Sequence, residues 1–227
     1  MKNPMNIKYC LPIIKKSKKE VLEAITKNKD EYEFFEVWFD TIKDIDIAFV
    51  NKLIKMLKSR LILLSHRGNK VKTKASKEQK RQILKALHRS QSFIDLDISE
   101  KAEVSYVREN KLKIKTIASY HDYKGMPKDF GKVLREMNVM NPTIYKFALT
   151  CNSEVDAINL LVLQQLFKEQ RVKHIVLGMG KCGALMRIFG TLWGNELIYA
   201  PKTKAEASAP GQLTKRELET IFKVLSK

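Results

Sequence analysis

A closed barrel of eight strand-helix units, (β/α)8, is the fold class this sequence predicts. Eight strand-like runs recur in order, helix-forming segments separate them, and no long linker or compositional break interrupts the series. The 227 residues are short for that fold but within its range, and they are read as one domain spanning 1–227.

The first run, Ile7 to Ile14, is stopped by Lys15-Lys16 and by Ser17, which with Glu20 forms a capping box for the first helix. Phe34 to Asp40 is the second run and Leu61 to His66 the third; Ser76 with Gln79 then opens another helix. Phe93 to Ile98 and Leu112 to Tyr120 follow. Asn141-Pro142 is a turn signal before the sixth run, Thr143 to Leu149. Ser153 with Asp156 is a weaker capping signal for a Leu-rich helix reaching about Glu169. His174 to Gly178 and Glu196 to Ala200 complete the eight, and Thr214 with Glu217 caps the last helix.

Composition narrows the class of protein. Hydrophobic residues at 44% with 30% charged describe a globular chain, not a disordered one. Cys10, Cys151 and Cys182 have no paired spacing, so neither a disulfide framework nor a zinc site is expected, and a reducing cytoplasm fits. No apolar stretch approaches the length of a membrane span or a signal peptide. The net charge of +18 favours an anionic partner, yet the lysines are spread along the chain without interleaved aromatics. A small anionic substrate is therefore expected, with neither nucleic acid nor membrane as a partner.

In such barrels the site lies at the carboxyl ends of the strands. The polar residues there are Glu36, Arg67, Asp97, His121 and Lys146. Lys146 shares its strand face with Ile144 and Ala148. An apolar setting there lowers the pKa of the ammonium and frees a nucleophilic amine for Schiff-base chemistry; the alternative is a lysine at a strand end that reaches water. His121, one strand earlier, is the candidate proton carrier, against the alternative of a surface pair with Asp122. His66, His88 and His174 have no comparable neighbours and are read as structural.

Gly178-Met179-Gly180-Lys181-Cys182-Gly183 matches G-x-G-x-x-G formally, but in a barrel it reads better as an anion-receiving turn than as a dinucleotide site. Arg187 beyond it is either a bidentate carboxylate holder or a helix-surface arginine. Cys182 is read as filling space. Pro201 to Leu213 has the composition of a lid or of an ordinary connector.

Taken together, Ser119-Tyr120-His121-Asp122, Tyr145-Lys146-Phe147-Ala148, the glycine turn with Arg187, and Ser208-Ala209-Pro210-Gly211-Gln212 resemble type I 3-dehydroquinate dehydratase, over roughly Glu33 to Gln212. The resemblance implies a (β/α)8 barrel, usually dimeric, that dehydrates 3-dehydroquinate in the shikimate pathway without metal or organic cofactor. By that resemblance Lys146 forms the imine and His121 moves the protons. Arg187 pairs with the substrate carboxylate, Met179 lines the site, and Glu36, Arg67, Ser208, Ala209 and Gln212 bind and enclose the substrate. The chain departs from the family pattern in three places. Trp38 stands where the second strand usually has arginine, Gly68 stands where a glutamate that orients the histidine usually follows Arg67, and Met186 replaces a serine. Asp97 or Glu36 is left to orient His121. Two rivals follow from the same residues: a class I Schiff-base aldolase acting on a phosphorylated keto sugar, and a barrel that has lost activity and serves as a basic scaffold.

Overall fold

The computed structural model describes residues 7–65, 75–209 and 211–225. Within them eight parallel strands alternate with α-helices, in the sheet order β7-β6-β5-β4-β3-β2-β1-β8. The strands are β1 Tyr9–Ile13, β2 Phe34–Trp38, β3 Leu61–Leu64, β4 Phe93–Asp97, β5 Lys115–Asp122, β6 Ile144–Thr150, β7 His174–Met179 and β8 Ile198–Tyr199. The helices are α1 Lys18–Asn28, α2 Ile47–Leu57, α3 Lys77–Leu87, α4 Lys101–Glu109, α5 Phe130–Asn138, α6 Glu154–Glu169, α7 Ala184–Trp193 and α8 Lys215–Leu225. Every strand-like run became a strand. All four expected capping pairs are made, those of Ser17, Ser76 and Ser153 as full reciprocal boxes and that of Thr214 with bonds in both directions to Glu217.

Most strands begin or end one or two residues from the expected runs, and in the second and fifth the reason is visible. The second strand stops at Trp38 because the chain turns through a short 3-10 segment, Phe39–Thr41. That turn aims the buried Asp40 carboxylate at the Ser65 hydroxyl (2.6 Å) and the Ala75 amide (3.0 Å). The fifth strand starts three residues late and runs past Tyr120 to Asp122, so His121 is paired in the ladder opposite Ala148 and does not lie beyond it.

Strand alternation divides the core. Tyr145, Phe147 and Leu149 of β6 face the helices, where Phe147 and Leu149 pack with Leu160 and Phe167 of α6. Ile144 faces the interior with Cys10, Ile62, Ile117, Ile175, Leu177 and Tyr199. These side chains pack the barrel interior, with Leu177 and Tyr199 reaching the cavity wall, so the polar inward residues stand on a packed floor. Closure between β7 and β8 is made differently from the other seams. The Asn195 side chain accepts from the Val176 N–H (2.8 Å) and donates to its carbonyl (3.0 Å), while the Glu196 N–H donates to His174 O (2.9 Å). A side-chain amide thus does the work of a strand residue.

Candidate functional site

A cavity of about 1090 Å³ opens at the carboxyl ends of the strands. Its wall includes Glu36, Trp38, Asp97, His121, Lys146 and Ala148 from the strands, Met179 and Arg187 from β7 and α7, and Ser208, Ala209 and Gln212 from the segment after β8. The structure therefore gathers at one mouth every candidate residue it describes; Arg67 lies outside the described residues. Five of them, Lys146, Glu36, Arg187, Asp97 and Met179, are at most 4% exposed.

Lys146 does not occupy the wholly apolar setting expected of it. Its Nζ lies 2.7 Å from Asp95 Oδ2 and 3.5 Å from Glu36 Oε1, and 4.4 Å from the centroid of the Tyr199 ring. Burial disfavours the ammonium while the two carboxylates favour it, so the opposing influences meet on one nitrogen. Asp95 is fully buried and its other oxygen accepts from the Ser119 hydroxyl, which fixes the carboxylate under the amine. Asp95 was not among the expected site residues. The signal was present in Phe93-Ile94-Asp95-Leu96-Asp97, where two acids alternate on one face of an otherwise apolar strand.

Asp97, two residues further along that face, takes His121. Its Oδ2 lies 3.0 Å from His121 Nδ1 and 3.2 Å from the His121 backbone N–H, and its Oδ1 accepts from the Ser99 N–H at 2.9 Å. The carboxylate is thus clamped at both oxygens. With Nδ1 protonated toward Asp97, Nε2 is the nitrogen able to exchange a proton with a ligand. Glu36, the other candidate for this part, is engaged elsewhere: its Oε2 accepts from the Trp38 indole N–H at 2.8 Å.

The glycine turn after β7 is built for backbone contact. A Cβ on Gly178 would sit 2.7 Å from Gly183 Cα, and one on Gly183 would sit 2.5 Å from the Gly178 carbonyl carbon. The crossing lets α7 start directly beneath the mouth and brings Arg187 inside, where burial pushes its guanidinium down to about 10, still a cation at neutral pH. Met186, in the serine position, packs with Phe147 and Leu160 in the core between sheet and helices. The segment after β8 is closed on itself: the Ser208 N–H donates to Gln212 Oε1 (2.7 Å) and Gln212 Nε2 donates to Ser208 Oγ (2.9 Å). Gly211, at φ +76°, lets it lie against the carbonyl of Gly180.

The histidines read as structural are so where described. His88 Nδ1 accepts from the Lys113 N–H, and His174 is buried against Phe167; His66 lies outside the described residues. Cys182 lies 3.9 Å from Glu154 at the start of α6, away from the ion pairs of the mouth. No described helix is long and apolar enough to cross a membrane.

Comparison with known proteins gives a consistent answer. A family model described as Type I 3-dehydroquinase matches residues 9–227. The 3-dehydroquinate dehydratase of Methanococcus maripaludis strain C7 is 28% identical over 224 residues, covering 95% of this chain and 99% of that protein. The crystal structure of 3-dehydroquinate dehydratase from Geobacillus kaustophilus superposes with a TM-score of 0.76 at 20% identity, covering 97% of this chain and 91% of the other. That of the type I enzyme from Clostridium difficile, carrying covalently modified comenic acid, gives 0.75 at 23% identity over 96% and 92%.

Proposed function

Because the chain belongs to the type I 3-dehydroquinase family, we propose that it is a carbon-oxygen lyase that dehydrates 3-dehydroquinate to 3-dehydroshikimate through an imine on Lys146. The observation that carries this reading is the pairing, at one cavity, of a buried lysine amine with a histidine whose Nδ1 is held by a carboxylate.

Lys146 Nζ, after giving up a proton, attacks the C3 ketone, and loss of water leaves an iminium. The iminium withdraws electrons and acidifies the C2–H bond. His121 Nε2 takes that proton, the C1–O bond breaks, and the same imidazole returns the proton to the departing hydroxyl on the same face, a syn elimination. Water then hydrolyses the imine and frees the lysine. Asp97 is the acid that holds the imidazole in its working tautomer, in place of the glutamate absent after Arg67. Arg187 pairs with the substrate carboxylate, Ser208, Ala209 and Gln212 close over it, Met179 lines the site, and Glu36 binds hydroxyls with its orientation set by Trp38. The cation of the usual arginine is replaced by an indole whose N–H donates to Glu36, which removes one positive charge.

The phosphorylated-sugar aldolase is at odds with a family match that runs through residues 9–227, and what weighs against the scaffold barrel is the buried lysine and the carboxylate-held histidine at one cavity. The deciding experiment is incubation with 3-dehydroquinate and borohydride followed by peptide mass analysis. A stable adduct on the peptide holding Lys146, lost in Lys146→Ala together with turnover, is expected; turnover without an adduct would require another mechanism.

The chain acts in the cytoplasm, which suits three unpaired thiols, two of them buried. It pairs as a homodimer, and the outer face of α6 and α7 suits that contact. Val155, Ile158, Val162, Leu166, Leu185 and Trp193 are 43–63% exposed there. In a chain of net charge +18, residues 152–167 and 182–195 contain one cation, the buried Arg187. Two copies meet at such a face without like-charge repulsion. A sedimentation mass of one chain would contradict the dimer.

A further inference from the structure

We propose that Tyr199 is a third catalytic group, whose ring face stabilises the positive charge on the Lys146 nitrogen as the imine forms. The inference rests on the imine reading above and goes beyond it. Tyr199 sits at the end of β8, is 3% exposed, and lines the cavity with its ring centroid 4.4 Å from Nζ. That is within the reach at which an aromatic face attracts a cation, and the site is desolvated enough for the attraction to be strong.

The argument turns on counting protons. In net terms the ammonium and the ketone give an iminium and water: one C–N bond and then its second component form, the ketone oxygen leaves with two protons, and the nitrogen keeps its positive charge. The resting ammonium has three N–H donors, enough for both Asp95 and Glu36 at 2.7 and 3.5 Å. The iminium has one. At least one carboxylate contact is therefore given up at the step that makes the electron sink. A π face needs no N–H to be attractive, so its share of the stabilisation grows as the donors disappear.

The phenol itself does not compete. Burial, followed by the charges of Glu36 and Asp95, pushes its ionisation well above the usual value, so the group stays neutral and its ring remains the feature presented to the nitrogen. Asp95, itself held by the Ser119 hydroxyl, contacts the same nitrogen at 2.7 Å.

The test keeps the size of the side chain and changes the charge of its face. With Tyr199→Phe as the reference, successive fluorination of that phenylalanine, introduced in the full chain, weakens the ring's negative face. The rate of single-turnover adduct formation with 3-dehydroquinate and borohydride is expected to fall stepwise with each fluorine, and Tyr199→Leu to lose about 10- to 30-fold in kcat with KM little changed. A flat fluorine series, with adduct and turnover intact, overturns the role of the ring and leaves the imine reading standing. Failure of the wild-type protein to form any adduct overturns both. Retention of the native melting temperature across the series separates these outcomes from a packing defect.

Discussion

Each end of the barrel holds a histidine tied down through Nδ1, and the two could hardly be more different in setting. His121, at the carboxyl end of β5, bonds a carboxylate, Asp97 Oδ2, at 3.0 Å and faces an open cavity. His174, at the amino end of β7, bonds the Val172 carbonyl at 2.8 Å, stacks on Phe167 with ring centroids 5.6 Å apart, and is 2% exposed. A carboxylate beside Nδ1 stabilises an imidazolium that forms in passing; a carbonyl under an apolar lid only fixes a neutral ring in place. The difference lies in what each strand end offers, since the residue type is the same. Polar inward side chains crowd the carboxyl ends, whereas the amino ends close over aliphatic and aromatic ones.

That contrast predicts changes of activity at one end and of stability at the other. The largest effect is expected for His121→Ala: kcat falls by about 10³-fold while borohydride still traps an adduct, if slowly, because the amine remains. Wild-type turnover in that variant would remove the imidazole from proton transfer. Asp97→Asn, which keeps shape but loses the anion that fixes the tautomer, is expected to cost about 10²-fold in kcat with little change in melting temperature. At the closing seam the pattern reverses. Asn195→Ala removes both bonds to Val176 and is expected to destabilise by about 2 kcal/mol in urea unfolding, with kcat per folded molecule retained.

The smallest effect concerns the buried ring. Burial lowers the His174 pKa from its ordinary value. Below about pH 6.5 the unfolded chain therefore binds a proton that the folded chain resists, and stability falls as pH drops until the depressed folded pKa is passed. His174→Phe removes that slope and is expected to lessen the loss of stability between pH 7 and pH 5, measured by denaturation at both values. An unchanged slope would assign the acid sensitivity to other groups.

What could be read from residues alone follows from the range of each interaction. Strands and helix starts were legible because their signals are local: alternating apolar runs, and Ser17, Ser76 and Ser153 three residues before a side chain that reaches back. Lys146 and His121 were legible because a charge inside an apolar strand is costly and needs a reason. Asp95 was passed over since its partner lies two strands away, across β5, and only formation of the sheet brings them together. For the same reason sequence left Asp97 and Glu36 as equal candidates to hold His121; a Trp38 indole bond, invisible before folding, occupies Glu36. The seam residue Asn195 follows Gly194 in what reads as an ordinary helix exit, and nothing local marks it as a substitute strand.

The amide clasp between β7 and β8 sets where this barrel breathes. From β1 through β7 neighbouring strands are laced by ladders of three to six pairs, but β8, only Ile198–Tyr199, meets β1 at two pairs, and on its other side Asn195 and the Glu196 N–H bridge the gap. Hydrogen exchange should accordingly enter at this stave first, with the amides of Glu196 and Ile198 losing protection ahead of those in β5 and β6. Since the loosest stave carries the Tyr199 ring, warming should blunt the chemistry before it melts the protein.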